Sequence, residues 1–237
     1  MDGESWNFAG NYTYNDECIL SITNLTPFTS QMPRRTKEDA QTTRLQLLEA
    51  AVRVFAEKGV SRTSLQDIAQ AAGATRGAIY WHFKNKADLF NAMMEGAILP
   101  IEQAMQQIGH DPALDPLAEL ERAMLQAMHG IVHDPRTRAI FEIATLKVEY
   151  VDELLAVKTR HAQAHANGTL QLQRSLLEAA ARRGIALSVP PELAARGLQA
   201  LMAGLIHTWI LAPTEFELLP VAQAAIRAHL NGLGLTR

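Results

Sequence analysis

Apolar residues return at helical spacing along most of the chain, and no stretch alternates with the period of a strand. From about Lys37 to Lys58, Leu45, Leu48, Ala51, Val52 and Phe55 make one face, and Gly59 closes the helix. Leu65, Ile68, Ala69 and Ala72 form the apolar face of a short second helix. Ser64 and Asp67 stand before it as a variant capping box, and Gly73 supplies the left-handed residue that stops it. Thr75 caps another short helix, from Arg76 to about His82. Asn85 caps a longer one that starts at Lys86 and runs to about Ile108, with Pro100 expected to kink it. Beyond Gly109, Asp-Pro pairs read as caps followed by first helical residues, and glycines as stops. They predict helices near 116–132, 135–146, 149–182, 191–212 and 218–231, with Asn167-Gly168 a candidate break in the long one. The fold class is all-α.

Two short helices joined by a Gly-containing turn form a helix-turn-helix, whose second helix can lie in the major groove. In that second helix Ile79 and Phe83 face inward. Arg76, Gly77, Tyr80 and His82 are left outside, while Gly77 and Ala78 are small enough to let the helix axis approach the bases. The preceding helix buttresses this pair. Its basic start, with Arg34, Arg35, Lys37 and Arg44, opposes the local helix dipole, a conflict that a phosphate strand relieves and that a solvated basic tail also explains.

The run TSLQDIAQAAGATRGAIYWHFKNKADLF (Thr63 to Phe90) resembles the DNA-binding domain of the TetR family of bacterial repressors, and most of all its AcrR-like, efflux-controlling branch. The likeness extends upstream through TRLQLLEAAVRVFAEKGV (Thr43 to Val60) and returns weakly at KVEYVDELLAV and WILAPTEFEL. It implies an N-terminal three-helix helix-turn-helix domain over residues 32–90. A helical-bundle domain for ligand binding and dimerisation would follow over 91–237, and residues 1–31 would be a disordered or mis-annotated extension before Met32. The candidate DNA contacts are Arg44, Thr63, Ser64, Thr75, Arg76, Gly77, Ala78, Tyr80, Trp81, His82 and Lys86. Thr75 and Lys86 are carried over by position, and the side on which Trp81 lies is left open between core and backbone contact. The resemblance also implies a pocket among the later helices. Met105, Met124, Met128, Phe141, Leu170, Gln173, Leu177 and Trp209 are its candidate lining, each of which ordinary core packing accounts for equally.

Leu198, Leu201, Met202, Leu205, Ile206 and Trp209 on one late helix, with Val221, Ala225, Ala228 and Leu230 on the last, are apolar faces that pair across a twofold axis in TetR-like proteins. They could also complete a monomer core. A dimer suits DNA reading in any case, because two recognition helices span successive major grooves about 34 Å apart.

Charge sharpens this picture. The net formal charge of −3 hides +4 over residues 32–94, against −4 before them and −3 after them, so positive charge gathers around the helix-turn-helix. The single cysteine, Cys18, excludes an internal disulfide and a Cys-based zinc site. The most apolar stretch, Leu198 to Ala212, is too short and too often interrupted for a membrane span, and no secretory signal opens the chain, which points to the cytoplasm. His129/His133 and His161/His165 stand at i, i+4, where zinc or simple exposure could account for them. No nucleotide loop, nucleophile elbow or cofactor fingerprint is present.

The expected function is that of a homodimeric repressor, not an enzyme, with no cofactor. It holds double-stranded palindromic operator DNA, of a multidrug efflux operon by resemblance, and leaves it when a small hydrophobic inducer binds. A ligand-independent DNA-binding regulator is one rival. A helical small-molecule binding or metal-storage protein without a DNA role is the other.

Overall fold

A computed structural model describes residues 37–111, 113–149 and 151–235, and among them finds helices and no strand. The expectations for residues 1–31, Arg34, Arg35 and Cys18 lie outside the described residues. The helices are α1 (Lys37–Lys58), α2 (Leu65–Ala71), α3 (Arg76–His82), α4 (Lys86–Gln106), α5 (Pro116–His133), α6 (Pro135–Leu146), α7 (Leu155–Arg183), α8 (Pro191–Leu211) and α9 (Leu218–Gly232). Two of the Asp-Pro caps act as expected, whereas among the described residues no helix follows Asp111 before α5. Asp115 accepts from the Leu117 amide and Asp134 from those of Arg136 and Thr137, each placing its proline at the start of a helix, where no N–H is missed.

Three sequence expectations are corrected. Leu45 is half-exposed at 49%, because α1 turns Leu47, Ala50 and Val54 into the core alongside Leu48, Ala51 and Phe55. The long helix begins at Leu155, not near 149, after a single 3-10 turn at Asp152–Leu154. The segment before it is held by tertiary bonds instead: Val60 N donates to Lys147 O at 3.1 Å, and the Ser61 hydroxyl donates to Glu149 at 3.1 Å. Finally, Asn167-Gly168 does not break α7. Gly168 lies where α8 comes close, so that a Cβ there would sit 3.2 Å from Gln199 Nε2. The glycine serves the crossing of two helices rather than a turn.

Two apolar clusters hold the chain. One packs α1 to α4 around Phe55, Ile68, Ile79 and Met93, and extends to Ile140 and Ile143 of α6 and to Leu154 and Val157. The other packs α5, α7, α8 and α9 around Leu120, Met128, Leu176, Leu198 and Ile226. Helix α4 spans the gap. Its first turns bury Leu89, Phe90 and Met93 in the first cluster, while Met105 packs against the second. No helix among the described residues is long and apolar enough to cross a membrane.

Candidate nucleic-acid interface and ligand cavity

The α2–turn–α3 unit is fastened at each corner by short-range hydrogen bonds. Ser64 Oγ accepts from the Asp67 amide at 3.1 Å, and the Asp67 carboxylate accepts from the Ser64 amide at 2.9 Å, so the capping box is complete. Hydrogen bonds from the Ser64 hydroxyl and then its amide lower the Asp67 pKa below the ordinary carboxylate value. Gly73 takes φ of +65°, which lets the Ala74 amide turn back to Ala69 O at 2.9 Å. Thr75 Oγ1 then accepts from the Ala78 amide at 3.1 Å and starts α3.

With Ile79 and Phe83 buried, α3 presents Arg76, Gly77, Tyr80 and Trp81 to solvent, with His82 half-exposed beside them. Trp81 is 73% exposed, which places on the surface a side chain whose direction the sequence left open. The Arg76 guanidinium lies over the exposed Tyr80 ring at 5.7 Å, and that of Arg44 of α1 lies over the ring of buried Phe83 at 5.3 Å. Thr75 and Ser64 are exposed at the two helix starts.

Thr63, Ala78 and Lys86 depart from the expected contact surface. Thr63 is buried and its hydroxyl donates to Gly59 O at 2.7 Å. Ala78 turns its methyl into the core. The Lys86 ammonium is spent internally: it donates to Ser61 O and Thr63 O, both at 2.9 Å, and pairs with Glu153. A carboxylate and two carbonyls satisfy its three donors, so this lysine ties the start of α4 to the loop before α2 and to the 3-10 turn before α7. Exposed Lys84, beside the Asn85 cap, is the cation that sequence reading passed over. Its only local signal was a place outside the α3 pattern.

A cavity of about 980 Å³ opens between α4, α5, α6, α7 and α8. Of the expected lining, Met105, Met124, Phe141 and Leu170 are on its wall. Met128, Gln173, Leu177 and Trp209 are not. Met128 is wholly buried in the second cluster, and Leu177 is 44% exposed. Trp209 is buried under the Arg138 guanidinium, 4.7 Å from its ring. Other residues of the same helices line the wall instead: Gln171 and Arg174 on α7, Met202 and Ile206 on α8. Met94, Ile98 and Ile101 extend the wall along α4. His161 and His165 also reach it, whereas His129 and His133 lie exposed on α5. Among the described residues no group of three or more metal-ligating side chains converges.

Helices α8 and α9 use part of their expected interface for the monomer itself, since Leu198, Trp209 and Leu230 are buried within the chain. Leu201, Met202, Leu205 and Ile206 stay half-buried, and Val221 is exposed.

Residues 47–93 match the family of bacterial regulatory proteins described as tetR, and residues 115–234 match the C-terminal region of MAATS-type transcriptional repressors. The chain is 37% identical over 205 residues to the HTH-type transcriptional regulator TtgR of Pseudomonas putida, covering 86% of this chain and 98% of that one. It is also 37% identical to the repressor BepR of Brucella suis, over 84% of this chain and 96% of the relative. Among solved structures it resembles NalD, a secondary repressor of the MexAB-OprM multidrug efflux pump in Pseudomonas aeruginosa. The TM-score is 0.74 at 35% identity, covering 83% of this chain and 98% of NalD. The SmeT–triclosan complex gives a TM-score of 0.74 at 30% identity, over 83% of this chain and 95% of that one.

Proposed function

The chain belongs to the TetR family of bacterial regulatory proteins, which are transcriptional regulators and not enzymes, and from that premise we propose that it is a repressor of a multidrug efflux operon whose hold on operator DNA is released by small apolar compounds. NalD, an efflux-pump repressor, and SmeT with triclosan bound support both halves of this reading.

The observation that carries it is the double engagement of α4. One helix packs its first turns against the helix-turn-helix and lines the cavity with Met94, Ile98, Ile101 and Met105 further along. At about 1.5 Å per residue, a rigid helix transmits a shift at one end to the other. A ligand that favours the arrangement in which two recognition helices no longer match successive major grooves weakens DNA binding. A coupling of about 1–3 kcal/mol corresponds to a five- to 150-fold loss.

The reading requires two copies, paired through α8 and α9, in the cytoplasm. It assigns residues 32–90 to DNA and 91–237 to ligand binding and dimerisation, with α4 shared. Arg76, Gly77, Tyr80, Trp81 and His82 meet the duplex, Thr75, Ser64 and Arg44 its phosphates. Lys84 joins them from outside the expected set. Met105, Met124 and Phe141 contact the inducer.

Electrophoretic mobility shift on the intergenic DNA beside its own gene, at fixed salt, tests this. Arg76→Ala with Tyr80→Ala should weaken binding by roughly 10- to 100-fold while circular dichroism stays unchanged. Unchanged binding by that variant defeats the reading.

A further inference from the structure

Helix α6 touches both the helix-turn-helix and the cavity, and it does so without passing through α4. It turns Ile140 and Ile143 into the apolar cluster that holds α1 to α4, while Phe141, Ala144 and Thr145 line the cavity. These side chains stand on one short rigid rod, so a ligand that displaces the lining residues displaces the buried pair as well.

Both ends of α6 are tied to the DNA-binding unit. At its start Arg136 pairs with Glu49 of α1 at 2.8 Å. Past its last turn the Lys147 backbone oxygen accepts from the Val60 amide at 3.1 Å, and the Glu149 carboxylate accepts from the Ser61 hydroxyl at 3.1 Å. Val148, between them, packs against the same apolar cluster. Val60 and Ser61 belong to the short loop from α1 into α2. That loop has little slack, because Val60 is fully buried, the Thr63 hydroxyl donates back to Gly59 O and Ser64 already caps α2. A displacement of Lys147 therefore reaches the start of α2, and α3 follows through the Gly73 turn.

Magnitudes separate two uses of these ties. An exposed ion pair and a single exposed hydrogen bond add little to stability beside a cluster built on Phe55, Ile68, Ile79 and Met93. They do fix where α6 stands against α1 and the loop. We propose that α6 is a second transmitting arm beside α4, and that Arg136 and Glu149 are positioning residues which make the helix-turn-helix follow α6 when the cavity fills. This rests on the cavity being the effector site, and it names residues that carry its coupling to DNA.

Operator affinity of the full chain, measured by fluorescence anisotropy with and without saturating triclosan, is the test. Isothermal titration of triclosan and hydrogen exchange at the Val60 amide accompany it. If α4 and α6 share the coupling equally, removing one arm takes the ligand-driven loss of affinity to its square root, from about 100-fold to about tenfold. Arg136→Ala with Glu149→Ala should show that fall, while triclosan affinity and ligand-free operator affinity stay within about twofold, since neither residue lies at the cavity or on α3. Arg136→Lys with Glu149→Gln keeps a cation and an acceptor for Ser61 and should restore most of the response. In the unaltered protein triclosan should change the exchange rate of the Val60 amide, which reports its bond to Lys147 O. Undiminished release in the alanine variant overturns the assignment, and so does an equal fall in the alanine and conservative variants, or a Val60 amide that triclosan leaves unmoved. A lower unfolding midpoint with undiminished release would mark the ties as fastenings of the fold alone. Should triclosan fail to release the unaltered protein from operator, the effector reading and this assignment fall together. Equal release of all three proteins leaves the repressor reading standing and removes only the second arm.

Discussion

Asp115 caps α5 and also accepts from Arg183 at 2.8 Å, and that hydrogen bond is the main reason its carboxyl titrates below the ordinary value of 3.8. Because the folded pKa is the lower one, the stabilisation is complete above the unfolded value and disappears as pH falls through the folded value. Asp115→Asn keeps a capping oxygen and gives up the charge. It should cost about 0.5–1 kcal/mol at neutral pH, since the pair is partly exposed. The gap in thermal midpoint between the variant and the unaltered protein should close as the buffer is taken from pH 6 to below 4. A second single-residue effect belongs to Gly59, which ends α1 at φ of +79°. Any side chain is strained there, so Gly59→Ala should destabilise by roughly 1 kcal/mol in a urea titration. The glycine was legible as a helix stop from its place after Lys58. The Asp115–Arg183 pair was not, because the two lie far apart in sequence.

At the level of elements, the short helices depend on their caps more than on length. An isolated helix of two turns is unstable in water, so α3 exists because Thr75 starts it and Ile79 and Phe83 anchor it. Thr75→Ala should lower stability by about 1 kcal/mol and weaken operator binding at the same time, read by thermal denaturation and by mobility shift. These helices were predictable because their determinants are local: a cap, a period and a left-handed glycine within a dozen residues. Helix α7 was harder. Its start is set by Val60, Ser61 and Lys86 holding the 147–153 segment, and its continuity past Gly168 by the approach of α8. Neither cause has a signature within the helix itself.

Across the whole molecule, Lys86 joins parts that sequence separates. Its ammonium meets two carbonyls near the start of α2 and the carboxylate of Glu153 beside α7, while Arg160 of α7 pairs with Glu95 of α4. Lys86→Met removes the ammonium, itself buried, that meets these two carbonyls and Glu153 from the start of α4. It should cost about 2–3 kcal/mol in chemical denaturation, larger than an exposed ion pair could give. If Lys86 instead contacted phosphate alone, the variant would lose DNA affinity and keep its stability. A basic residue at the start of a helix near a recognition helix reads as a phosphate ligand in sequence. The fold makes it a tie, because the ammonium is turned inward onto the two loop carbonyls and Glu153.

The sequence by itself determined the class of the fold, the position of nearly every helix and the face that α3 offers, since period, caps and stops act over a few residues and write themselves into neighbouring positions. Only the tertiary structure decided which side chains with the right chemistry are free to use it. Thr63, Ala78 and Lys86 turned inward, and the cavity wall passed from Met128, Gln173, Leu177 and Trp209 to other positions on the same helices, His161 and His165 among them. The rotation of a helix about its own axis is fixed by what packs against it, and a shift of one residue swings a side chain by about 100°.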